Sequence, residues 1–408
     1  MTRVLFLGDL ANTGFGTVTM DLGRALLALD LDVRFVSLNE EPGSTLPEPF
    51  GSRTAVLGEP GGWLDAVNPL TQSRLEGMFT GSLFEDGWTP EIAIVTGDMG
   101  SLEMSPILQF LPEGFPLLHY VPIEGIDLPP LWGSIWRHIQ PVAMCNFGAD
   151  EIAKVTGSRP PVVYHGVDTK VFHPVDPGNM IRIPESGNVL RTREDCRRMF
   201  GFDDDDILLL RTDRNMPRKN YASLFRALAP VLASNPRIKL VVHAKIIDQG
   251  GNLTHTISKL GKSVPQVILT DAGGEWGRNA LAALYNAADI YVSNSAEGFG
   301  LTIAEAVACG LPAVGMAFSS VPEVIGPAGV TVAPGALIDN IYSYFWARVN
   351  EPAFGKAVDE LVRDKGKRRL IGATGPRHVA SNFSWTTAAA QFATIIAAAL
   401  PQKELVAA

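Results

Sequence analysis

The chain has 408 residues, 46% hydrophobic and 19% charged, with a net charge of −9 and a pI near 5.3. It is too long for one core and too apolar for a disordered chain, and its acidic balance gives no global pull toward nucleic acid or an anionic membrane. No window reaches the roughly 20 apolar residues of a spanning helix, and the three widely spaced cysteines, Cys145, Cys196 and Cys309, read as buried thiols in a reducing, cytoplasmic compartment rather than as a disulfide frame or a zinc site.

The first apolar run is short and reads as a strand at 4–7, not as a signal peptide. Strand-like runs follow at 33–38, 92–96, 117–121, 142–145 and 162–164, with a helix at 22–29 between the first two. A second series occupies 207–211, 239–243, 267–270, 290–293, 313–315 and 330–332. Short Val/Ile/Leu runs separated by helix-length segments imply parallel sheets covered on both faces. Two such series imply an α/β chain of two doubly wound, Rossmann-like domains. Pro174, Pro177, Gly178, Pro184 and Gly187 interrupt 170–195, which places the boundary there. The expected domains are 1–175 and 176–384. The Ala-rich 386–400 carries Gln391 and Thr394 and reads as a packed amphipathic helix. The acidic run at 203–206 reads as a solvated turn before the second series rather than a cation site.

The most informative stretch is 293–312. A buried strand hands over to a loop with Gly298 and Gly300, then to a helix at 302–309 stopped by Gly310 and Pro312. Backbone N–H groups at such a junction favour a phosphate. Glu297 and Glu305 bracket the loop, and a carboxylate beside a phosphate is better used to accept hydrogen bonds from hydroxyls. Hydroxyls beside a phosphate suggest a nucleotide sugar. A further segment, 208–220, places Arg211, Arg214, Arg218 and Lys219 after a strand, where cations can neutralise a departing diphosphate.

Glu, seven residues, Glu, with Gly-Phe-Gly-Leu after the first, resembles the donor-site signature of retaining glycosyltransferases of the family 4 type (glycosyl transferases group 1). The resemblance implies the GT-B fold, two Rossmann-like domains facing a cleft, with 385–408 crossing back to the first. It gives Glu297 to the donor sugar, Glu305 to the ribose, and the backbone of Gly298, Phe299, Gly300 and Leu301 to the diphosphate. The 208–220 segment resembles the family's Arg…Lys motif, so Arg214 and Lys219 are expected to clamp the diphosphate. Arg218 receives no role. The run 164–174 resembles the segment that closes the first domain, with His165 in place of the commoner Asn.

The loop with Gly14, Phe15 and Gly16 follows the first strand and opens a helix. It lacks the third glycine of a dinucleotide fingerprint, and in the family it faces the donor and acceptor. For the first-domain group at the donor sugar, two residues compete. His119 lies inside an apolar run, whereas Glu124 falls at the post-strand loop position and is favoured. Asp271, with 272–274, is expected at the nucleobase. Trp63, Trp88, Trp132 and Trp136 are read mainly as core. The implied activity is metal-independent transfer from a UDP- or GDP-sugar, without a cofactor, to the hydroxyl of an unidentified acceptor. Nucleic acid is not indicated but stays open as that acceptor, and oligomeric state is not readable. A sugar-nucleotide epimerase and a non-catalytic nucleotide-sugar-binding protein are the alternatives.

Overall fold

The computed structural model describes residues 1–11, 13–38, 46, 48–57, 68–271 and 276–400, apart from the side chain of Met104. By its internal contacts the chain forms two units. One comprises Met1–Ile123, Asp127–Gly166 and Phe383–Ala408; the other comprises Glu124–Ile126 and Val167–Asn382.

The first unit holds a six-stranded parallel sheet in the order Thr54–Val56, Leu31–Ser37, Thr2–Gly8, Ile92–Thr96, Leu117–Val121, Gln140–Ala143. Every residue of Ile92–Thr96 and Leu117–Val121 is buried, which is why these strands read as unbroken apolar runs. Two strands differ from the sequence reading. Thr54–Val56 is a half-buried edge strand of three residues, too short to leave an apolar signature. Residues 162–164 give only a single parallel bridge, Val162 to Ala143. The helix expected at 22–29 spans Gly14–Leu27, because Thr13 caps it by accepting from Gly16 N at 2.9 Å. The helix Trp385–Ala399 packs on it within this unit, with Phe392 edge-on to Tyr120 at 5.0 Å. Residues 401–408 lie outside the described residues. Trp88, Trp132 and Trp136 are core residues, and Trp63 lies outside the described residues.

The second unit repeats the topology: Val267–Asp271, Ile238–Ala244, Ile207–Thr212, Ile290–Ser293, Ala313–Met316, Gly329–Val332, all parallel. Helices Tyr221–Ser234 and Glu351–Arg363 bury Leu224, Phe225, Leu228, Phe354, Val358 and Leu361 in its core. The division between the units falls after Gly166, earlier than the Pro- and Gly-rich stretch. The reason is that residues beyond 166 already pack on the second unit. Asn286 donates to His173 O at 3.0 Å and accepts from Val175 N at 2.8 Å, and Asn279 donates to Arg182 O at 2.6 Å. The acidic 203–206 run is a turn whose carbonyls at 203, 204 and 206 all accept from the Arg197 guanidinium. A hairpin, Pro334–Asp339 with Phe345–Val349, stands outside the main sheet and was not expected. All three cysteines are buried and free.

Candidate functional site

Strands Ile207–Thr212 and Ile290–Ser293 are neighbours at the middle of the second sheet, where the strand order reverses. Ligands of open α/β sheets bind at the carboxyl ends of strands at such a point. Each strand delivers an irregular segment there. After the first comes a 3-10 turn, Pro217–Lys219, then Asn220 at φ +45°, whose side chain caps the next helix through Ser223 N. After the second come residues 294–300 and the helix Leu301–Ala308.

These segments interlock through charge. Lys219 Nζ lies 2.6 and 2.7 Å from the two Glu297 carboxylate oxygens and 2.7 Å from Asp213 Oδ1. Arg218 donates to Ala296 O at 2.7 Å and to Glu297 Oε2 at 3.1 Å, and lies 3.3 Å from Glu124 Oε1. Arg211, fully buried, donates to Val292 O and Ser295 Oγ and pairs with Asp213 at 2.8 Å. The Ser295 hydroxyl donates to Glu297 Oε1 at 2.6 Å. Three cations thus meet three carboxylates, Asp213, Glu297 and Glu124, and the network is formally neutral. Burial alone would push the Glu297 carboxyl up; Lys219, Arg218 and Arg211 overcome this and hold it well below the usual carboxylate range. Burial likewise disfavours the Arg218 charge, and Glu124 and Glu297 outweigh it.

The glycine loop is pinned from a third strand end. Glu297 N donates to Ser319 Oγ at 2.8 Å, and the Ser320 hydroxyl reaches Glu297 O and Phe299 O, both at 2.7 Å. Gly298 and Phe299 are buried. Gly300 takes φ +97°, and a Cβ there would lie 3.1 Å from Ile303 Cδ1. Among the described residues no side chain caps the helix that begins at Leu301, so its first turn presents backbone donors and the positive dipole end. Glu305, half-buried on that helix, accepts from the Tyr285 hydroxyl at 3.0 Å, and Tyr285 is 2.8 Å from Thr212 Oγ1.

The structure thus brings Lys219, Glu297, Glu305 and 298–301 to one end of the sheet and places Arg214 differently. Arg214 is 58% exposed and forms a two-pronged pair with Asp248, at 2.8 and 3.3 Å. Arg218, given no role from the sequence, takes the place beside Glu297. Glu124 belongs to this unit by its contacts and meets Arg218 and, at 3.4 Å, the Tyr344 hydroxyl. His119 is instead a core residue of the first unit. Its Nε2 lies 3.0 Å from Gly97 O, its Nδ1 accepts from the Trp136 indole at 3.1 Å, and burial lowers it to about 4. Asp271 is the exposed last residue of its strand, and 272–274 lie outside the described residues. Sequence reasoning missed Asp213 and Ser295, and grouped Arg211 with the diphosphate cations although its side chain is fully buried between them. The available signal was a run of charges continuing straight out of a buried strand.

In the first unit, the loop before Gly14 is organised by Asp9, which accepts from Ala11 N at 2.9 Å and from the Thr13 hydroxyl. Gly14 is exposed, Phe15 half-buried, and Gly16 is pressed against Ala11 O, which a Cβ would meet at 1.8 Å. Among the described residues no group of three or more His, Cys, Asp or Glu is placed to hold a metal ion, and no helix is long and apolar enough to cross a membrane.

Comparison with known proteins agrees with this geometry. Residues 192–377 match the family described as Glycosyl transferases group 1. A GDP-mannose-dependent monoacylated alpha-(1-6)-phosphatidylinositol monomannoside mannosyltransferase of Corynebacterium glutamicum is 27% identical over 54% of this chain and 51% of its own. A D-inositol 3-phosphate glycosyltransferase of Streptomyces bingchenggensis is 27% identical over 62% of this chain and 51% of its own. The chain therefore spans about half the length of the curated relatives it matches. Among solved structures, sucrose-phosphate synthase from Thermosynechococcus elongatus superposes with a TM-score of 0.71 at 19% identity, covering 98% of this chain and 99% of that one. Anabaena Alr3699/HepE, in complex with UDP and glucose, gives 0.68 at 16% identity, covering 97% and 100%. The two six-stranded sheets and the likeness to these structures give the chain the GT-B fold, and residues 192–377 within it match the glycosyl transferases group 1 family.

Proposed function

We propose that the protein is a retaining glycosyltransferase that moves a sugar from a nucleoside diphosphate sugar to an acceptor hydroxyl in the cytoplasm. The observation that carries this is the convergence, at adjacent strand ends, of the Lys219–Glu297–Arg218 network with the uncapped helix start after Gly300. The backbone donors at 298–301 receive the diphosphate. Glu297, held ionised, accepts from sugar hydroxyls, and Glu305 from the ribose. The network is neutral as it stands, so a diphosphate carrying about two negative charges calls for another cation. Arg214 supplies it by leaving Asp248, which restores the Arg214/Lys219 clamp in the loaded state. Glu124, held by Arg218, is the further polar group we assign to the sugar. The bond from the anomeric carbon to the diphosphate breaks with its electron pair going to the phosphate oxygen. The acceptor oxygen attacks from the same face, and its proton passes to that phosphate oxygen. The neutralising charges are side chains, so we take the reaction to need neither metal nor cofactor. The second unit is the donor side and the first the acceptor side, with Gly14, Phe15 and Gly16 assigned to the donor as well.

Both UDP- and GDP-sugars fit this reading, since the names of the relatives include a GDP-mannose-dependent enzyme and those of the structures a UDP complex. The test is a hydrolysis screen over UDP-, GDP- and ADP-sugars, followed by acceptor trapping with the best donor. Lys219→Ala should then lower kcat/KM about 100- to 1000-fold, the usual cost of one preorganised donor. Near-wild-type turnover by a folded variant would remove the clamp, and isomerisation of the donor without acceptor would make the protein an epimerase.

A further inference from the structure

A cavity of about 230 Å³ lies at the other end of the second sheet. Its wall includes Asp289 and Pro312, the residues that precede strands Ile290–Ser293 and Ala313–Met316, whereas the site described above follows those strands. Four cations line it, Arg193, Lys365, Arg368 and Arg369, against the single carboxylate of Asp289. In a chain of net charge −9, that is a local inversion of sign.

The carboxylate is already heavily used. Asp289 accepts from Leu208 N at 2.9 Å and pairs with Arg197 at 2.7 Å and Arg193 at 2.8 Å. Arg368 is buried, and its nearest acid is Asp289 at 3.9 Å. Its other terminal nitrogen is occupied by Leu361 O and Val362 O. The buried Nε of Arg193 finds no acceptor among the described residues. Among the described residues, the side chains of exposed Lys365 and Arg369 have no hydrogen bond or ion pair. The charge on Arg368 is disfavoured first by burial and then by Arg193, although Asp289 partly offsets this. Guanidinium groups crowded round one shared carboxylate repel one another, and a further anion relieves that repulsion.

We propose that this cavity is a second anion site that takes a phosphate monoester. Arg forks and a Lys point charge suit a tetrahedral dianion. The volume equals about eight waters at ~30 Å³ each, enough for a phosphate group with a small organic ester. The site is independent of the donor reading, because none of its cations belongs to the Lys219–Glu297 network.

The test is calorimetric titration of the full chain with inorganic phosphate and with phenyl phosphate, in a buffer free of other polyanions. Wild type should bind both, the monoester more tightly. Lys365→Gln/Arg369→Gln removes two exposed, unpaired charges, so it should leave the melting curve unchanged and weaken binding at least ten-fold. Lys262→Gln/Lys356→Gln removes the same charge from other exposed positions and should stay within two-fold of wild type. Arg214→Gln should also leave phosphate binding in place. The proposal is overturned if wild type binds neither probe at millimolar concentration, if the Lys365/Arg369 variant binds as wild type, or if the charge-matched control weakens equally. Loss of binding in Arg214→Gln would move the phosphate to the donor site and equally overturn it.

Discussion

Glu297 shows how a single side chain ties stability to function. Its carboxyl sits among Lys219, Arg218 and Arg211 and is held ionised far below its ordinary 4.5. A carboxylate whose folded pKa is depressed stabilises the fold fully above its unfolded pKa. That contribution is lost as pH falls through the folded pKa. Glu297→Gln should therefore give a lower but flatter acid limb, with wild type losing up to about 1.4 kcal/mol more per pH unit below about pH 4.5. Urea midpoints for the second unit between about pH 3 and 6 would check it, and parallel profiles would refute it. That Glu297, Glu305 and Lys219 fall at one end of the second sheet was legible, because each lies at a fixed distance from a strand or helix end. That Arg218 lies beside Glu297 while Arg214 pairs with Asp248 was not. Residues 213–220 are irregular apart from one 3-10 turn, and no period tells which of two arginines there turns inward.

At the scale of elements, the strands that stayed hidden are those whose environment leaves no pattern. Thr54–Val56 is an edge, and Pro334–Asp339 with Phe345–Val349 forms a two-stranded ribbon of mixed exposure. The ribbon nevertheless shapes the candidate site. Ile126 and Phe345 exchange reciprocal backbone hydrogen bonds, both 3.0 Å, a single antiparallel bridge that ties the chain to the ribbon two residues after Glu124, the partner of Arg218. Gly125 is what allows it, since a Cβ there would lie 2.2 Å from Phe345 O and 2.7 Å from the Tyr344 ring. Gly125→Ala should cost about 1–3 kcal/mol by overpacking. The amides of Ile126 and Phe345 should lose hydrogen-exchange protection while those of Ile207–Thr212 and Ile238–Ala244 keep theirs. Unchanged protection at Ile126 would mean that the ribbon does not hold the segment.

Across the whole molecule the two units share one strand order yet should respond differently to acid. The first unit buries two histidines in its core, His119 next to Tyr120 in the strand and His165 against the Tyr120 ring. Burial lowers them to about 4 and about 3, against an ordinary 6.5. The groups facing them are Gly97 O, the Trp136 indole and the charge of Asp98 for His119, and the rings of Tyr120 and Trp385 for His165. In the second unit His243 is lowered to about 4, again mainly by burial. Between pH 6.5 and the folded values the unfolded chain binds protons that the folded chain refuses, so stability falls as pH falls. Two such sites give a slope near 2.7 kcal/mol per pH unit around pH 5, and one gives about half that. A chain of two units need not unfold in one step, so the slope must be read locally. Protection factors for Tyr120 and Val142 should drop about twice as steeply on a logarithmic scale, from pH 6.5 to 5, as those for Leu240 and Val292. In His165→Asn, which removes one titrating group, the first unit's slope should fall to that of the second. Equal slopes in wild type, or no change in His165→Asn, would mean that these imidazoles take up protons without unfolding the core that encloses them.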